Sequence, residues 1–140
     1  MGQLTLKLRN SLEEIDRLFE NVQSFGEAHC LSRKQAFQLH LVIEELFTNI
    51  ISYAYQDGKE HWITINISCD NGQLTVGTED DGIPFNPAAT KKPNLSGPVE
   101  DRKIGGLGIH ICKEMMSSMK YKRVKNKNIL TLTKTLPPAG

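Results

Sequence analysis

The stretch Phe37-Gln38-Leu39-His40-Leu41-Val42-Ile43-Glu44-Glu45-Leu46-Phe47-Thr48-Asn49-Ile50-Ile51 is apolar on nearly every side, and it constrains the fold more strongly than any other segment. Ahead of it, Ser32-Arg33-Lys34-Gln35 reads as a capping box, in which the serine and glutamine side chains satisfy each other's backbone N–H groups. The segment is therefore a helix, fading near Tyr55-Gln56-Asp57-Gly58, and its apolar character demands burial on most sides. Glu45 and Asn49 interrupt it four residues apart, which places them on one stripe. A carboxylate and an amide in such a helix are costly unless they are hydrogen-bonded, bind an ion or face a cleft.

The other segments supply the cover. Leu4, Leu6 and Leu8 alternate with polar residues as a first strand. Ser11-Leu12-Glu13-Glu14 reads as a second capping box, opening a helix with Leu12, Ile15, Leu18, Phe19, Val22 and Phe25 on one face as far as Gly26. Ile63, Ile65, Ile67 and Cys69, then Leu74 and Val76, alternate on either side of Asp70-Asn71-Gly72, the signature of a β-hairpin. From Asp80 to Gly105 the period is lost among prolines and glycines, and so long a loop in a small domain reads as a functional lid. Ile109, Ile111, Cys112, Met115, Met116 and Met119 restore helical spacing. A closing hairpin, Tyr121 to Lys125 and Ile129 to Leu136, turns at Asn126-Lys127-Asn128. Strands joined by tight turns pair antiparallel, with helices grouped on one face, so the fold class is α+β, a two-layer sandwich in one domain over residues 1–140.

At 140 residues the chain is long enough for a core without a disulfide or metal staple. The formal net charge of +1 argues against nucleic acid as a partner, and the basic run from Lys113 to Lys127 reads as a solvated face. Cys30, Cys69 and Cys112 lack metal or disulfide spacing. With no bilayer-length apolar run, no signal-peptide pattern at Met1-Gly2-Gln3-Leu4-Thr5-Leu6, and Leu6 where a myristoylation signal needs Ser or Thr, the expectation is a cytoplasmic protein without a membrane partner.

Two further motifs carry chemistry. Asp80-Asp81-Gly82-Ile83-Pro84-Phe85 ends a strand: its carboxylate can accept from an exocyclic amine, and Gly82 permits close approach of a flat ligand or a positive φ, although Asp-Gly is also an ordinary turn. Gly105-Gly106-Leu107-Gly108 leads into a helix, where backbone N–H groups can meet an anion; a flexible hinge would look similar. Neither a Walker A motif nor a Rossmann fingerprint is present.

Together, the Asn-bearing helix, the Asp-x-Gly box and the glycine box resemble the GHKL ATPases, the superfamily of gyrase, Hsp90, histidine kinases and MutL. Within it, Glu45-Leu46-Phe47-Thr48-Asn49, Asp80-Asp81-Gly82-Ile83-Pro84-Phe85-Asn86-Pro87 and Gly105-Gly106-Leu107-Gly108-Ile109 look like the anti-sigma factor serine kinase branch, with Asn86 where the branch usually has Asp. The likeness runs from about Ser32 to Leu136 and implies the GHKL sandwich, a mixed, mainly antiparallel sheet with helices on one face. It implies ATP and Mg²⁺ as cofactors, Asn49 on the Mg²⁺, and Glu45 as general base. Asp80 would meet the adenine amino group and Gly82 make room for the base, with Pro84 and Phe85 in the same box. Gly105, Gly106, Leu107 and Gly108 would hold phosphates beneath a lid at about residues 86–104. Arg102 and Lys103 either neutralise phosphate charge or are a solvated pair. Glu44 rivals Glu45, but the spacing to Asn49 favours Glu45. Relatives often carry a Thr before the last strand to support adenine, and Asn128-Ile129 stands there.

The resemblance thus implies an ATP-dependent serine/threonine kinase that sequesters a sigma factor and phosphorylates an anti-sigma antagonist on serine, as a homodimer. The alternatives are a non-catalytic ATP-dependent binding module and a stand-alone ATPase. His40, His61 and His110 read as structural or surface residues, and Tyr53 and Tyr55 as core.

Overall fold

A computed structural model describes residues 2–29, 31–87 and 106–137. Strand β1 (Gly2–Arg9) leads through a 3-10 turn at Leu12–Glu14 into α1 (Ile15–Ala28) and α2 (Arg33–Tyr53). The hairpin β2 (Trp62–Asp70) and β3 (Gln73–Asp80) follows, then α3 (Gly106–Met115), β4 (Ser118–Val124) and β5 (Lys127–Thr135). The strands form one sheet in the order β1-β2-β3-β5-β4, and every described pairing is antiparallel. The sheet expected to be mixed is antiparallel throughout its described strands. Each neighbouring pair is either a hairpin or, for β1 with β2 and β3 with β5, strands whose connection returns through helices on the same face.

The alternating strands put Leu6, Leu8, Ile63, Ile65, Ile67, Leu74, Val76, Leu130 and Leu132 into the layer beneath the helices, all essentially buried. Against them α2 presents Leu39, Val42, Ile43, Leu46, Phe47 and Ile50, and α1 presents Leu18, Val22 and Phe25. Burial of each such side chain contributes about 1.5–3 kcal/mol before chain entropy is subtracted. The capping box at α2 forms as read, with Gln35 N–H on Ser32 Oγ at 3.0 Å and Ser32 N–H on Gln35 Oε1 at 2.9 Å.

The other box does not form. Ser11 Oγ accepts from Glu13 N–H, while the buried Glu14 carboxylate accepts from Arg9 N–H at 2.9 Å and meets the Arg9 and Arg17 guanidinium groups. The Ser11 N–H is instead bonded to the Arg9 carbonyl oxygen at 2.8 Å, and Leu12, expected in the core, is exposed. The β2–β3 turn sits at Asn71-Gly72, both at positive φ, as a two-residue hairpin requires. The last turn falls at Lys125-Asn126, also both positive, rather than at 126–128. Asn128 is thereby inside β5, and Met119 lies on β4, not on the helix.

Lys120, Lys122, Lys125 and Lys127 are exposed on the β4–β5 edge, where charge discourages edge-to-edge pairing. Cys112 is buried with its thiol directed at the Val42 carbonyl oxygen, and burial, with the Glu45 charge second, pushes its pKa up to about 12. Cys30 lies outside the described residues. No helix among the described residues is long and apolar enough to cross a membrane.

Candidate functional site

Glu45 and Asn49 are linked, not merely adjacent: Asn49 Nδ2 donates to the Glu45 backbone oxygen at 2.6 Å. Asn49 is buried and lines a cavity with Asp80, Thr78, Phe85, Tyr121 and Asn128. With one Nδ2 hydrogen engaged, the amide oxygen and the second N–H are the groups left for that cavity. Glu45 is half-buried and aimed at the start of α3: a Cβ added to Gly108 would lie 2.0 Å from Glu45 Oε2. Desolvation, with the neighbouring Glu44 charge second, raises the Glu45 pKa. Glu44 itself turns the other way, 3.1 Å from His40 Nε2, where Phe19 packs edge-on against the His40 ring.

Asp80 ends β3 with little exposure. Its Oδ1 accepts from Gly82 N–H and from Asn128 Nδ2, each at 2.9 Å. Among the described residues no hydrogen bond ends on Oδ2. Burial raises the Asp80 pKa, opposed by those two donors and by the Arg123 charge. Arg123 Nη1 also holds the Gly82 carbonyl oxygen at 2.7 Å. Gly82 is not at positive φ; what requires glycine is Ala54 at the end of α2, whose carbonyl oxygen would lie 2.3 Å from an added Cβ. That same oxygen accepts from Ile83 N–H at 2.8 Å. Pro84 is exposed, whereas Phe85 stacks on Tyr53 with ring centres 5.8 Å apart. Phe85 and the buried Pro87 also line this cavity, whose volume of about 10 Å³ is space for one water.

Gly106 begins α3. Gly105, Arg102, Lys103 and, of the lid expected at about 86–104, residues 88–104 lie outside the described residues, as does the side chain of Leu107. The sequence reading missed Thr78 and Tyr121, and it noted Asn128 without giving it a role. Thr78 continues the inward alternation Leu74, Val76, Thr78, Asp80, a signal that was present. Asn128 sits directly opposite Asp80 in the β3–β5 register. Among the described residues no group of three or more His, Cys, Asp or Glu could hold a metal ion.

Beside this site the rings of Tyr55 and His61 stack, and His61 lies 2.8 Å from Asp57 and 3.3 Å from Asp81. The Tyr55 hydroxyl donates to Asp81 as well, tying the turn after β3 to the end of α2. The Asp57 contact, reinforced by Asp81 against some desolvation, raises the His61 pKa. The stabilisation is thus fully present below the ordinary histidine value of about 6.5 and is lost as pH rises through the raised value. Between about pH 6 and 8.5 the wild type is expected to lose about 1–2 °C more in Tm than His61→Gln, followed by scanning fluorimetry. Parallel curves would remove His61 from this account.

A family profile described as "Histidine kinase-like ATPase domain" matches residues 8–134. No curated protein matches the chain in sequence. Among solved structures, the RsbU and RsbW domains of Rv1364c from Mycobacterium tuberculosis superpose with a TM-score of 0.69 at 13% identity, covering 99% of this chain and 34% of that one. The chain thus spans about a third of that protein's length. The SiaB–SiaC complex from Pseudomonas aeruginosa matches with a TM-score of 0.59 at 17% identity, covering 95% of this chain and 89% of that one. The catalytic domain of the histidine kinase ThkA gives 0.54 at 14%, covering 99% and 100%. These likenesses share the fold, and the profile spans nearly the whole sequence: the chain belongs to the histidine kinase-like ATPase domain family.

Proposed function

We propose that this domain is an ATP-dependent serine/threonine kinase of the anti-sigma type, phosphorylating a serine of an antagonist protein and sequestering a sigma factor as a homodimer, with one domain over 1–140 and a lid at about 86–104. The observation that carries it is the placement of Glu45: a half-buried carboxylate of raised basicity against Gly108 at the start of α3, one helical turn from Asn49, which shares a cavity with Asp80. When bound, ATP supplies the transferable phosphoryl group and Mg²⁺ the charge that offsets it. Asn49 fits the cation through its amide oxygen, and Asp80 fits the adenine amine through Oδ2, which takes no hydrogen bond among the described residues. The backbone of Gly106 and Gly108, with Gly105 and Leu107, would face the phosphates. Glu45 would take the seryl proton, and a raised pKa is the direction a general base needs. Two neighbours support the branch: one contains an RsbW domain, and the other was solved as a complex of two proteins, consistent with a protein substrate.

The test is incubation with labelled ATP, Mg²⁺ and candidate antagonist proteins, read by mass spectrometry. A single phosphoserine on one candidate is the expected result. No phosphoserine on any cognate candidate, from a protein that binds ATP, would sink the kinase reading.

A further inference from the structure

Asn128 is 4% exposed and spends every hydrogen-bonding group of its amide inside the protein. Nδ2 donates to Asp80 Oδ1 at 2.9 Å and to the Ile83 carbonyl oxygen at 2.8 Å. Oδ1 accepts from Phe85 N–H at 3.2 Å and from the Tyr121 hydroxyl. An amide has two N–H donors and one oxygen with two lone pairs, so nothing is left over for a ligand. The strand register makes Asp80 and Asn128 direct partners, which fixes the contact from both backbones. With Gly82 N–H also on Asp80 Oδ1, that carboxylate oxygen takes two donors, and among the described residues none goes to Oδ2.

We propose that Asn128 is the positioning residue of the nucleotide site: it locks the Asp80 carboxylate so that Oδ2 alone meets one donor of the base, and it ties that carboxylate to the Ile83–Phe85 backbone beside it. The inference rests on the ATP reading above. A locked acceptor reads a 6-amino group and is repelled by a 6-oxo group, whereas a carboxylate free to turn in its pocket tolerates both. An Asn128 that merely closed the sheet would affect all nucleotides alike.

The experiment is calorimetry of Mg²⁺-ATP and Mg²⁺-ITP on the full chain, with thermal unfolding in parallel. Asn128→Thr is expected to weaken ATP about tenfold and ITP less than about twofold, compressing the ratio. Tyr121→Phe keeps the ring and loosens one side of Asn128, moving the ratio the same way by about twofold. Asn128→Asp sets a second carboxylate against Asp80 Oδ1, and the pair holds one shared proton. That variant is expected to bind ATP nearly as the wild type does at about pH 6 and to lose affinity relative to it as the proton leaves toward about pH 8.5. An unchanged ratio in both Asn128→Thr and Tyr121→Phe, with an Asn128→Asp pH profile parallel to wild type, overturns the positioning role and leaves the nucleotide reading intact. Equal wild-type affinity for ATP and ITP overturns it too, since no single donor is then read. Failure of the wild type to bind ATP overturns the nucleotide reading and this inference with it.

Discussion

Glu45→Ala is expected to slow phosphoryl transfer to the partner serine by about 10²–10⁴-fold while leaving ATP affinity within about twofold of wild type. The reason for the split lies in which atoms Asn49 uses. Its Nδ2 is held by the Glu45 backbone oxygen, not by the carboxylate, so truncating the side chain leaves the amide anchored where it lines the cavity. Asp80 and its donors lie on β3 and β5 and do not involve Glu45. What the variant removes is the group nearest Gly108, where a seryl proton would be taken up. Single-turnover transfer and calorimetry separate the two effects. If partner control and ATP binding both survive in a protein that never phosphorylates the partner, the non-catalytic binding module is the right reading. Steady hydrolysis without any partner would point to the stand-alone ATPase.

The apolar helix and the alternating strands were readable because each follows one period and each period has one buried face. Ile63, Ile65 and Ile67 are wholly buried, as their spacing requires. The site was less readable where pairing across the sheet decides the outcome. Asn128 followed by Leu130 and Leu132 carries the inward alternation, but placing the turn at 126–128 removed it from the strand. Lys125 at positive φ is an uncommon turn residue, and nothing local announces it. The need for glycine at position 82 was legible and its cause was not, since the close neighbour is Ala54, nearly thirty positions earlier in the chain. Glu14 shows the same limit: Ser11 caps the turn through Glu13 N–H, while the Glu14 carboxylate takes the backbone N–H of Arg9, brought close by β1, and lies near the Arg9 and Arg17 side chains.

Gly82→Ala and Gly108→Ala are expected to fail in opposite ways, although both lie in glycine boxes that look alike in sequence. At position 82 the added methyl meets the Ala54 carbonyl oxygen at 2.3 Å and its carbonyl carbon at 2.8 Å, and that oxygen also carries the Ile83 N–H bond. Backbone at a helix end cannot step aside without breaking that bond. The expected cost is about 2–3 kcal/mol, or about 5–10 °C in Tm, measured by calorimetric unfolding. An unchanged Tm would mean that the turn after β3 moves independently of α2. At position 108 the methyl meets the far end of a flexible side chain, Glu45 Oε2, which can rotate away, and alanine is the better helix former. Tm is therefore expected to shift by less than about 2 °C while transfer falls at least about 10²-fold, because the displaced carboxylate no longer reaches the serine. The double variant isolates the cause. If Gly108→Ala acts by displacing Glu45, it adds no further loss in the Glu45→Ala background, since residues acting as one unit are not additive. A second full loss in that background would mean instead that position 108 must be glycine for the backbone to approach phosphate.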